Sequence, residues 1–180
     1  MIYITGDCHG NFERFNPSIF PEQNEMTKED YVIICGDFGG VWHREAESKE
    51  ETMVLDWLDS RPFTTLFVCG NHENFDRLYQ YPIENWHGGK VHKIRESVIH
   101  LMRGQVFNID GKKIFSFGGA SSHDIQGGIL EPDDPEFEKS YALLSRGCLP
   151  FRINHWSWWK QELPSDEEME EGRQNLERHN

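Results

Sequence analysis

Five residues at three places in the chain have the types and spacing that metal chemistry needs. Asp7 and His9 stand one residue apart, Asp37 follows Gly36, and Asn71-His72-Glu73 follows Gly70. On extended backbone the D-x-H spacing turns both side chains to one face, and a carboxylate beside an imidazole is half of a site for manganese, iron or zinc. Asp37, with two oxygens, could bridge two ions, and Asn71 could add a neutral amide oxygen to the second. Two ions roughly 4 Å apart clamp the attacking and leaving oxygens of a phosphoryl transfer. His72 could protonate the leaving alcohol oxygen, because an imidazole with an unperturbed pKa of roughly 6.5 holds or gives a proton near neutrality. Taken singly, each motif also reads as a turn or a helix cap. The weight lies in their order and in the elements that carry them.

All three motifs follow apolar, β-branched runs: Ile2 to Thr5, Tyr31 to Cys35 and Thr64 to Cys69. Continuous runs of this kind, closed by glycine, read as fully buried strands. Between the second and third lies Glu45 to Ser60, with Val54, Leu55 and Leu58 on one helical face and Arg61-Pro62 at its end. Strand, helix, strand at this spacing is a βαβ unit with a parallel sheet, and ligands of such sheets gather beyond the carboxyl ends of the strands. The three motifs all sit at that edge.

From Lys90 to Ala120 the runs are shorter: Val91 to Ile94, Val98 to Met102, Gln105 to Ile109 and Lys113 to Phe117, with the hairpin signal Asp110-Gly111 between the last two. They predict a second, largely antiparallel set of strands. The expected fold class is therefore α/β (α+β), a β-sandwich of mixed sheets flanked by helices. Glu131 to Glu138 reads as an acidic, proline-broken loop. Ser165-Asp166-Glu167-Glu168 is a capping-box pattern that opens a last helix, whose stripe of Met169, Gly172 and Leu176 predicts weak packing. His155 and the tryptophans 156, 158 and 159 read as aromatic packing.

The 180 residues carry a formal net charge of −13. Affinity for nucleic acid rests on cations that neutralise phosphates, so nucleic acid is not favoured as partner, whereas a phosphate substrate stays compatible because bound metal inverts the local charge. No run approaches the roughly 20 apolar residues that span a bilayer, and the N-terminus lacks the cationic start of a signal peptide. Cys8, Cys35, Cys69 and Cys148 form no C-x-x-C pair and read as free thiols. A cytoplasmic protein with no membrane partner is expected.

The ordered set D-x-H, G-D and G-N-H-E resembles the calcineurin-like metallophosphoesterase family, carried by Asp7 and His9, Gly36 and Asp37, and Gly70-Asn71-His72-Glu73. Phe117-Gly118-Gly119-Ala120-Ser121-Ser122-His123-Asp124 is similar to a glycine-rich strand end of some bacterial relatives. The resemblance implies two divalent metal ions (manganese, iron or zinc) held by Asp7, His9, Asp37 and Asn71, with Asp37 bridging, and His72 as proton donor. It implies hydrolysis of a phosphomonoester or phosphodiester in a small phosphorylated substrate. The family also supplies a later G-H-x-H motif, which this chain does not contain. The expectation is a single domain over residues 1–180 that is C-terminally shortened. Two other functions stand beside the enzyme: a catalytically impaired binding or regulatory module, and a fragment that needs further C-terminal ligands. Asn11, Arg14, Ser122 and Asp124 are candidate substrate contacts, and an exposed sheet edge makes a homodimer plausible.

Overall fold

The three apolar runs become β1 (Ile2–Thr5), β2 (Tyr31–Cys35) and β3 (Thr64–Val68) in the computed structural model, which describes residues 1–179. They pair in parallel, with Ile4 opposite Ile33 and Ile33 opposite Leu66, so their carboxyl ends leave the sheet at one edge. The intervening helix α1 spans Lys49–Asp59 and starts four residues later than the hydrophobic pattern alone indicates. Its start is set by a capping box: the Ser48 hydroxyl accepts from the Glu51 N–H at 3.1 Å, and Glu51 Oε2 accepts from the Ser48 N–H at 3.2 Å.

After the short helix α2 (Phe75–Leu78) come β4 (Ile83–Trp86), β5 (Gly89–Arg95) and β6 (Val98–Leu101). These join the first sheet, which runs β1-β2-β3-β6-β5-β4, with β6 parallel to β3 and β5 antiparallel to β6. The expectation that residues 91–94 and 98–102 belong to a second sheet is corrected. All four residues of β6 are buried, as a strand covered on both faces must be. Only β7 (Gln105–Ile109) and β8 (Lys112–Ser116) form the opposing layer, joined by Asp110 and Gly111 at φ 51° and 73° in the two-residue hairpin expected there.

The alternation of β2 and β3 divides the interior. Val32, Ile34 and Phe67 pack with Phe12, Phe38, Leu55 and Leu58 on the α1 side, while Ile33 and Leu66 pack with Ile99, Phe107 and Ile109 under the β7–β8 hairpin. β1 departs from the fully buried expectation: as the last strand of the sheet it leaves Ile4 71% exposed. Beyond the hairpin, the two-residue strands β9 (Ile129–Leu130) and β10 (Arg152–Ile153) pair around helix α3 (Phe137–Leu144). Of the tryptophan run only Trp159 is fully buried, and His155 is exposed, its Nδ1 2.7 Å from Asp76 Oδ2, rather than packed.

Helix α4 (Asp166–His179) begins with the predicted box between Ser165 and Glu168. It docks by backbone approach instead of side-chain volume. A Cβ on Gly104 would stand 2.9 Å from the Gly172 nitrogen, and Asn175 Nδ2 donates to Gly104 O at 2.7 Å. Met169 and Leu176 stay more than a third exposed, as the thin stripe predicts.

Candidate metal centre

Asp37 is the hub that draws the three strand-end loops together. Its backbone carbonyl accepts from the N–H groups of Cys8 and His9, both at 2.8 Å, which fastens the first loop to the second. Its side-chain Oδ1 accepts from the N–H groups of Asn71 and His72 at 2.7 and 2.9 Å, which fastens the third. Oδ2 then faces His9, 3.6 Å from Nε2. Glycines make room for these carboxylates: a Cβ on Gly70 would lie 1.9 Å from Asp37 Oδ1, and one on Gly36 would lie 2.2 Å from Asp7 Oδ1.

Asp7 and His9 approach by a different route from the one their spacing implies. β1 has ended at Thr5, and His9 is left-handed at φ 49°. The turn, not an extended strand, brings Asp7 Oδ2 to 3.9 Å from His9 Nε2. Ligand atoms of His9, Asp37 and His72 all lie within 4.8 Å of one another. The His72 ring meets the His9 ring edge to face and stacks against Trp42 at 5.8 Å. Burial lowers the His72 pKa from its ordinary value, and Asp37 opposes that shift. Glu73 is wholly buried and accepts from the N–H groups of Phe38 and Gly39 at 2.7 and 3.2 Å. Burial pushes its carboxyl up to about 8 despite those bonds. The carboxylate of Asp37 and the imidazoles of His9 and His72 form a donor set suited to a divalent manganese, iron or zinc ion, while the Asn71 side chain is placed by its Nδ2 bond to Ser122 Oγ.

The family model of the calcineurin-like phosphoesterases matches residues 1–178. The chain belongs to the calcineurin-like phosphoesterase family. Members of the family generally use divalent metal ions, in keeping with this donor set. Curated relatives of this chain include lariat debranching enzyme A of Xenopus laevis, 26% identical over 72% of this chain and 26% of its own length. The lariat debranching enzyme of Danio rerio is 26% identical over 77% and 26%, and that of Drosophila pseudoobscura pseudoobscura 27% identical over 72% and 25%. The chain thus spans about a quarter of the length of these relatives. No solved structure matches it at a significant level.

His9 and His72 line a cleft of about 460 Å³ together with Trp42, Val54 and Arg152, and Asp7, Asp37 and Asn71 line a second one of about 430 Å³. Of the candidate substrate contacts, Arg14 donates to Thr5 Oγ1 at 2.8 Å and to the Asp7 carbonyl at 2.9 Å, so its guanidinium braces the first loop. Asn11 Oδ1 accepts from the Glu13 N–H at 3.0 Å. Asp124 is paired with Arg152, and Ser122 is buried beside Asn71. Trp42 and Arg152, both at the cleft, carry no motif or spacing that marks them in the sequence. Glu162 is buried against Ser122, and its run Lys160 to Pro164 is equally unmarked.

Proposed function

We propose that the chain is a metal-dependent phosphoesterase, with Asp7, His9, Asp37 and Asn71 holding two divalent ions (manganese, iron or zinc) and Asp37 between them. The observation that carries this reading is the double role of Asp37: it ties the first and third loops together through its carbonyl and Oδ1, and leaves Oδ2 turned to His9. Ions held there would supply Lewis-acid neutralisation of charge at phosphorus. The chain's own part is to place the substrate in the cleft, where Trp42 fixes the His72 ring by stacking and His72 hands its proton to the leaving oxygen.

The substrate we assign is a small phosphorylated molecule. The relatives' names support debranching of a lariat as a second reading of the same site. The charge of −13, and a cleft lined by Glu50 and Glu51 as well as by Arg152, favour the small molecule over a polyanion. Four cysteines without disulfides suit a reducing compartment such as the cytoplasm. Among the described residues no helix is long and apolar enough to cross a membrane.

Turnover of p-nitrophenyl phosphate and bis(p-nitrophenyl) phosphate with added manganese tests the enzyme reading. Release of p-nitrophenol by the native chain and none by Asp37→Asn is expected. Metal binding without turnover would replace it by a binding module on the same fold.

A further inference from the structure

Asn71 is held at both ends. Its N–H donates to Asp37, and its side-chain Nδ2 donates to Ser122 Oγ at 3.1 Å. Ser122 is only 5% exposed and in turn grips Glu162, which is 2% exposed: Ser122 Oγ lies 2.6 Å from Glu162 Oε2, and the Ser122 N–H donates to Oε1 at 2.9 Å. The Glu162 segment is itself fixed, because the buried Arg103 guanidinium donates to the carbonyls of Gln161, Glu162 and Leu163 and pairs with Glu168 of α4.

The relay has one polarity. A carboxylate only accepts, so the single Ser122 hydroxyl proton goes to Glu162, and the oxygen lone pairs of Ser122 are left to accept from the Asn71 NH₂. The amide oxygen of Asn71 must then face the other way, away from Ser122. We propose that Ser122 and Glu162 are positioning residues that set which end of the Asn71 amide is offered to a metal ion. The inference rests on the reading of Asn71 as a ligand.

Glu162→Gln tests this because it changes polarity while keeping shape. The Ser122 N–H needs an acceptor, so the glutamine oxygen stays opposite it and the NH₂ points at the Ser122 hydroxyl. That hydroxyl then turns its proton to Asn71, whose amide inverts to accept it and presents NH₂ to the ion. Manganese(II) alone is titrated into the native chain and the variants, with bound and free ion read by electron paramagnetic resonance and the thermal midpoint recorded alongside. Glu162→Gln is expected to weaken manganese binding by about 10–100-fold, as much as Asn71→Ala, with no further loss in the double variant. Adding Asn71→Asp to Glu162→Gln should restore binding, because a carboxylate can accept from Ser122 with one oxygen and offer the other. A residue with a purely structural role would show no such rescue. If Glu162→Gln does not fold, Ser122→Ala, which frees the amide, carries the same expectation. Native-like binding by the relay variants beside an impaired Asn71→Ala would overturn the relay alone. Native-like binding by Asn71→Ala itself would overturn the ligand reading and the relay with it.

Discussion

At the scale of single residues, the site is organised by hydrogen-bond polarity as much as by ligand type. Asp37 spends one oxygen on two backbone N–H groups and keeps the other for His9, so one side chain both builds the pocket and faces into it. His72 stands half-buried between His9 and Trp42, where a leaving group would depart along the cleft. If His72 supplies the leaving group's proton, its loss must matter most for leaving groups that need one. His72→Ala is expected to slow hydrolysis of an alkyl phosphoester by about 10²–10⁴-fold, and that of a p-nitrophenyl ester far less, since p-nitrophenolate departs unprotonated. Equal losses on both esters, measured as kcat, would take the proton-donor role from His72.

At the scale of elements, a second carboxylate does for the loop after Asp37 what Asp37 does for its neighbours. Glu51 caps α1 at Ser48, accepts from the N–H groups of Trp42 and His43 at 2.5 and 2.8 Å, and pairs with Arg77 at 2.7 Å, both partners being 7% exposed. Burial alone would raise its carboxyl, but those two N–H groups and the guanidinium hold it below the ordinary value. Glu51→Ala leaves Arg77 buried without its partner and should cost about 3–5 kcal/mol, read from denaturant unfolding. A loss below 1 kcal/mol would show that the network is dispensable. The parallel β1–β2–β3 arrangement, the Asp110–Gly111 hairpin and the Ser165 capping box were legible because each is local. The membership of β5 and β6 was not, because an apolar run shows that a strand is buried without showing which sheet it joins. Nor was Glu162, whose partner Ser122 lies 40 residues away with no periodicity linking them.

At the scale of the whole molecule, two buried imidazoles meet inside the six-stranded sheet. His92 and His100 face each other across β5 and β6, both 2% exposed, with their Nδ1 atoms 3.0 Å apart. Burial, then His92 and Arg103, hold the His100 imidazole well below its ordinary value, and burial lowers His92 too. The unfolded chain takes up these protons near pH 6.5 and the folded chain does not, so stability is full above that value and declines as the pH falls below it. His100→Gln should flatten the fall in thermal midpoint between about pH 6.5 and 5, and an unchanged slope would remove the pair as its source. The family relation accounts for the sheet and the strand-end motifs together. A metal centre built by the strand ends around Asp37 is tested by the manganese bound per chain in native protein and in Asp37→Asn. The substitution keeps an oxygen for the Asn71 and His72 N–H groups and replaces only the atom turned to His9. Binding by the native chain and its loss in the variant are expected, whereas equal binding by both, or none by the native chain, would rule out a metal centre at Asp37.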